Sequence, residues 1–227
     1  MFQPKQRSSA LTALVILAAA ALPAAATVVD FEDLAEGPAG LPFTHAGITY
    51  HDLNNVSGVF PDGSTFGPQD GHQCIVENAA LFWNDFPGWG SPVNVLTFGT
   101  AYVEGDNFSI GALATVTMDF AVPAAGISMD IGFYENGPWG GIVYHLDALR
   151  FGQVVGSDSF TIIGESDRDN PAAATLAIPD VVFDQLHLYA TYGGDYSMPR
   201  GMIDDIAFDQ AVATEPASWT AVKDLFR

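Results

Sequence analysis

Asp204 poses the sharpest chemical problem in this sequence. It lies in Gly201-Met202-Ile203-Asp204-Asp205-Ile206-Ala207-Phe208. Alternation at period two marks a β-strand, with Met202, Ile206 and Phe208 on one face and Ile203, Asp205 and Ala207 on the other. Asp204 then shares the apolar face, where a carboxylate is costly unless something neutralises it. Cationic side chains are scarce, so a hard metal such as Ca²⁺, which takes carboxylate and carbonyl oxygens, is a natural candidate. Backbone N–H donors, or water at a strand edge, would also satisfy the group. A second acidic strand, Val28-Val29-Asp30-Phe31-Glu32-Asp33-Leu34, lies near the other end of the chain. The two strands are expected to meet and close one β-sandwich, around a cation if one is bound.

A second group of residues is aromatic. Trp83, Trp89, Tyr134, Trp139, Tyr192 and Tyr196 lie in or beside the Gly/Pro-rich segments WNDFPGWG, YENGPWGG and TYGGDYSMPRG. Flat rings beside Asp, Asn and Glu suit sugars, whose C–H faces stack while their hydroxyls hydrogen-bond; they equally suit packing under long loops at the sandwich ends. Asp62 and Asp70, in the long loop from Asn54 to Gly71, could bind a cation, but the run lacks the order of a calcium loop. Catalytic constellations are missing: there is no G-x-S-x-G elbow, and the five histidines form no H-E-x-x-H pair. Acidic pairs are expected by chance among 27 Asp/Glu, so none is assigned to glycosidase chemistry.

The elements that must position these residues read as strands. Gly47 to His51, Ile75 to Asn84 and Val93 to Phe98 come first. ATVTMDF (114–120) and GISMDIGF (126–133) alternate cleanly and read as antiparallel neighbours joined through Ala121 to Ala125. Ile142 to Leu149, Phe151 to Ile163, Ala173 to Ile178 and Val181 to Thr191 follow, with Pro179-Asp180 as a tight connection. No 3.6-residue period appears before the tail. About ten short, regularly spaced strands predict an all-β fold, a single antiparallel sandwich of jelly-roll type.

Residues 1–26 carry a different pattern. Lys5 and Arg7 precede an apolar run, Leu11 to Leu22, and Ala24-Ala25-Ala26 forms a cleavage site. This is the pattern of a bacterial secretory signal peptide. The expected organisation is signal peptide 1–26, sandwich domain 27–210 and C-terminal tail 211–227. No later stretch is apolar enough to span a membrane. Residues 27–227 hold five Lys/Arg against 27 Asp/Glu, a balance of −22. That excludes nucleic acid as a partner, since phosphate contacts need Lys and Arg, and disfavours anionic membranes. Cys74 is the single cysteine, so no internal disulfide forms. It reads as a small buried hydrophobe or as a thiol pairing between molecules.

The opening VVDFEDL, the Val-Thr-Met-Asp-Phe and Ile-Ser-Met-Asp-Ile pair, the closing Met-Ile-Asp-Asp-Ile-Ala-Phe and Glu215-Pro216-Ala217-Ser218-Trp219 resemble secreted bacterial proteins of the PEP-CTERM sorting class. That resemblance implies association with exopolysaccharide-producing, biofilm-forming bacteria. The family pattern is Val-Pro-Glu-Pro-Ala, then an apolar helix and an Arg cluster. Here Thr214 replaces the first Pro and only Thr220 to Arg227 follow Trp219, so the sorting tail reads as vestigial or truncated. The two ends are also similar to jelly-roll carbohydrate-binding modules, in which a structural Ca²⁺ bridges the first and last strands. The similarity implies Glu32 or Asp33, with Asp204 and less directly Asp205, as ligands. The expected function is a secreted, non-catalytic protein associating with exopolysaccharide or other matrix components. A polysaccharide hydrolase or lyase, and a structural surface protein without a specific ligand, are the alternatives.

Overall fold

The computed structural model describes residues 26–40, 42–52, 58–59, 65–66, 72–79, 89–101, 115–133, 140–165, 169, 172–192, 195–196 and 201–211, with backbone alone at 52, 58–59, 65–66, 72–73, 98–101, 192 and 195–196. The signal-peptide pattern up to residue 25, the loop residues Asp62 and Asp70, and tail residues 212–227 lie outside the described residues.

The chain forms an antiparallel β-sandwich of jelly-roll type. Its strands are β1 (Thr27–Val29), β2 (Gly37–Gly40), β3 (Phe43–His45), β4 (Ile48–Asp52), β5 (Gly58–Val59), β6 (Thr65–Phe66) and β7 (His72–Asn78), followed by β8 (Asn94–Ala101), β9 (Val116–Phe133), β10 (Ile142–Arg150), β11 (Gln153–Thr161), β12 (Ala172–Tyr192), β13 (Asp195–Tyr196) and β14 (Gly201–Gln210). No helix occurs among the described residues beyond one short turn at Ala79.

Two long strands build both layers. β9 and β12 pair along most of their lengths, and both shift register near the middle, between Ile178 and Val182 and again between Phe183 and Gln185. Residues 116–120 of β9 and 185–192 of β12 belong to the first layer, ordered β11-β10-β12-β9-β4-β3. Residues 124–133 and 172–183 belong to the second, where β9 continues to β14 and then to β8, β7 and β2. The expected hairpin between 114–120 and 126–133 is thus one continuous strand, as are the two segments either side of Pro179-Asp180. Pro123 and Pro179 mark bends instead of turns. A residue without an N–H is tolerated where the ladder is already broken, and Gly126 (φ 63°) and Asp180 (φ 58°) supply the left-handed backbone at those corners.

The core fills the space between the layers. Tyr50, Met118, Tyr144, Leu146, Leu186 and Leu188 from the first meet Met129, Ile131, Phe133, Ile203 and Ile206 from the second. Phe120 stands edge-on to Phe183 and Phe208, with centroids 5.0 Å away in both cases. Such contacts favour aromatic rings beyond their area burial. Cys74 is fully buried in this core.

Candidate functional site

β14 positions Asp204 through a defect in its own pairing. One edge of β14 pairs with β9. The other is shared by β8, opposite Gly201 to Ile203, and β1, opposite Ile206 to Phe208. Asp204 and Asp205 fall in the gap between them. The β9 register also shifts between Asp204 and Ala207, and Asp205 has φ 43°. This is a β-bulge, and it reverses the alternation along the strand. Ile203, Ile206 and Phe208 therefore share the main core, whereas Met202 packs with Trp89 and Val95 in a separate cluster. The uniform alternation expected from the sequence, with Met202 alongside Ile206 and Phe208, is corrected accordingly. Asp204 is fully buried, but beneath the segment Trp89 to Asn94.

That segment supplies donors to a set of carboxylates. The Gly90 N–H donates to Asp130 Oδ2 at 3.0 Å. The Ser91 N–H donates to Asp204 Oδ2 at 2.6 Å, and the Ser91 hydroxyl lies 2.8 Å from the same oxygen. Glu32 Oε1 accepts from the N–H groups of Val93 and Asn94, both at 2.9 Å, and lies 2.9 Å from Ser91 Oγ. The Asn94 side chain donates to the Leu34 carbonyl, and the Trp89 indole N–H donates to the Ile131 carbonyl. Gly90 is required here: a Cβ would come within 2.6 Å of Asp204 Oδ2, and its φ is +61°.

The oxygens outnumber the protons. Ser91 Oγ is 3.0 Å from the Asp30 carbonyl as well as near Glu32 and Asp204, yet carries one proton. Asp204 Oδ1 is buried without a hydrogen-bond partner among the described residues. Burial pushes the Asp204 carboxyl up to about 7, against the pull of the Ser91 N–H and hydroxyl and the Asp205 N–H. Burial, then the charges of Asp130, Asp30 and Glu32, raise Asp205. Burial also acts to raise Glu32, but the N–H groups of Asn94 and Val93 and the Ser91 hydroxyl outweigh it and hold this carboxyl below its usual range.

These oxygens suit a hard cation. Asp30 O, Glu32 Oε1, Ser91 Oγ and Asp204 Oδ2 are carbonyl, carboxylate and hydroxyl donors, with no nitrogen or sulfur among them. Among the described residues no group of three or more His, Cys, Asp and Glu side chains is placed to hold a metal ion. Any such site would need the backbone and hydroxyl oxygens too. Of the residues expected from sequence, Glu32 and Asp204 come together through Ser91, and Asp205 is electrostatically coupled to Glu32. Asp33 does not join them: its carboxylate is exposed and lies 3.4 Å from His45 Nε2. Ser91, Asp130 and the Asp30 carbonyl were not anticipated. The Gly-Ser pair inside FPGWGSP was the one available signal.

The aromatic residues are dispersed. Trp89 is buried in its cluster with Val95 and Met202, so as a sugar-stacking surface it is corrected to a packing residue. Trp83, Tyr134 and Trp139 lie outside the described residues, and Tyr192 and Tyr196 are described only by the β12–β13 backbone pairing.

No protein-family model matches the sequence, and no curated protein does. Among solved structures, the chain is similar to the K1 cleaved adhesin domain of Lys-gingipain from Porphyromonas gingivalis W83, at 12% identity over 82% of this chain and 99% of that one, with a TM-score of 0.46. The K2 cleaved adhesin domain of Lys-gingipain matches at 15% identity over 82% and 99%, with a TM-score of 0.44. A CBM32 domain of a GH31 protein, bound to GalNAc, matches at 13% identity over 74% and 100%, with a TM-score of 0.32.

Proposed function

We propose that this is a secreted, non-catalytic glycan-associating protein, released through its signal peptide, whose β-sandwich is clasped by Ca²⁺ where β1 meets β14. Its setting would be an exopolysaccharide or biofilm matrix, as the resemblance to the PEP-CTERM class implies. One observation carries this reading: β1 lies beside β14, and the turn that follows β1, where an acidic strand was expected, brings Glu32 and the Asp30 carbonyl into one oxygen cluster with Asp204 and Ser91. This is the arrangement the resemblance to jelly-roll carbohydrate-binding modules leads one to expect. Asp30 or Glu32 alone would be an acidic surface feature, and Asp204 alone a buried carboxyl held by Ser91. Their convergence on one hydroxyl, next to a buried and unpartnered carboxylate oxygen, supports a cation clasp.

Retention of the purified protein in gels cast with soluble polysaccharides, followed over hours by a reducing-end assay, tests the functional reading. Retention without new reducing ends is the expected result. Reducing ends accumulating with time would make the protein a hydrolase or lyase. No retention on any polysaccharide would leave a structural surface protein.

A further inference from the structure

The outer side of the first layer carries an organised polar surface that the oxygen cluster does not explain. Inward positions of β10, β12, β9 and β4 are apolar, so the alternating positions face out. Register sets His145 opposite Tyr189, Asp147 opposite His187, and Gln185 opposite Asp119. Thr117 follows His187 across β9 and is itself opposite His51 on β4. Polar and aromatic side chains thus run unbroken across four strands, with Val143 and Leu149 only at the ends of β10.

These side chains are held in place. The rings of His145, Tyr189 and His187 form one stack, with centroids 4.8 Å apart at each step and interplanar angles of 17° and 28°. Asp119 lies 3.0 Å from His51 Nε2 through one oxygen and accepts from Gln185 Nε2 at 2.8 Å through the other. His145 Nε2 is 2.8 Å from the Thr191 hydroxyl, and Ser157 donates to Asp147 at 2.6 Å. Fixed side chains lose little freedom when a ligand arrives. Thr117, at its centre, is only 4% exposed. Beside it, His187 Nε2 is buried and has no hydrogen-bond partner among the described residues.

The chemistry of the face selects among ligands. Its two carboxylates already have partners in His51, Gln185 and Ser157, and its other side chains bring hydroxyl, amide and imidazole hydrogen-bonding groups. The surrounding chain is strongly acidic, so a phosphate-rich, uronate-rich or acidic protein partner meets repulsion. A neutral polyhydroxylated chain does not, and its hydroxyls match groups that both give and accept protons.

We propose that this face, and not the aromatic loops, binds a neutral glycan chain laid across β10, β12, β9 and β4. This assignment rests on the glycan-associating function proposed above and gives it a site and a ligand class. The test is affinity electrophoresis of the full chain in gels containing galactomannan, dextran, alginate or no polysaccharide. Wild-type protein, Tyr189→Ala, Gln185→Ala and, as a control at an exposed position of β1 in the second layer, Val28→Ser are run together, with unfolding midpoints checking each fold. Retardation by galactomannan or dextran, at least tenfold weaker in Tyr189→Ala and Gln185→Ala and unchanged in Val28→Ser, is the expected result. Should Tyr189→Ala fail to fold, Gln185→Ala, which removes one surface amide, carries the test. Retardation unaffected by either face variant would overturn this site and leave the broader function standing. Retardation by alginate alone would overturn the ligand class. No retardation of the wild type in any gel would overturn both.

Discussion

Asp204 has two ways to be neutral, and they give opposite pH responses. With no cation bound, its folded-state carboxyl titrates near 7 instead of 3.8. The folded state then binds the proton more tightly than the unfolded chain does. Its contribution to stability is full below the unfolded value and is lost as pH rises from about 4 through about 7. The shift corresponds to roughly 4 kcal/mol as an upper figure. Asp205 is raised too and adds to the same trend, whereas lowered Glu32 contributes stability that is lost as pH falls. In EGTA, the unfolding midpoint should therefore fall between pH 5 and 8, and Asp204→Asn should remove most of that fall. Added Ca²⁺ should restore the wild-type midpoint at pH 8 in step with free metal and leave Asp204→Asn unmoved. A wild-type midpoint at pH 8 indifferent to Ca²⁺ would dispose of the cation and leave Asp204 as a protonated carboxyl.

At the scale of elements, the segment Trp89 to Asn94 does most to shape the candidate site. It is tied by backbone and side-chain donors to β9, β14 and the turn after β1 at once. Gly90→Ala would push a methyl group against Asp204 Oδ2 on a backbone with positive φ. We expect a loss of roughly 2 kcal/mol or more, measured by urea unfolding, with the Ca²⁺ response weakened in parallel. The burial of Asp204 was legible in the sequence because Met202, Ile203 and Ile206 flank it. The bulge was not, because it arises where β8 and β1 share one edge of β14, and neither partner is near in sequence. Ser91 was hidden for the same reason. Pro123 and Pro179 misled in a different way: a proline that breaks a ladder looks identical in sequence whether the chain turns back or bends onward. The histidine and tyrosine face was written in the alternation of β10 and β12, but only the register showed that His145, Tyr189 and His187 stack.

For the whole molecule, charge is the dominant variable. A balance of −22 over residues 27–227 stresses the folded domain through self-repulsion, while the all-β class and the large aliphatic and aromatic core oppose it. Salt should relieve that stress. Raising NaCl from 20 to 500 mM, at constant pH and in EGTA, should stabilise the domain by about 1 kcal/mol, or ~3 °C in the midpoint. A midpoint that falls or stays level would show that the carboxylates are already neutralised where they lie. The long strands β9 and β12 connect the layers physically, so unfolding should be a single transition by any spectroscopic probe.

The position of β14 also governs when the domain can form. This strand lies inside the sheet, bonded to β9 on one side and to β1 and β8 on the other. Until residues 201–210 arrive, β1 and the β8-β7-β2 group have no strand through which to join β9. A polypeptide emerging amino end first would therefore assemble its first layer early and leave the second incomplete until its closing strand had appeared. Assembly of this kind is dominated by partners far apart along the chain and is therefore slow and late.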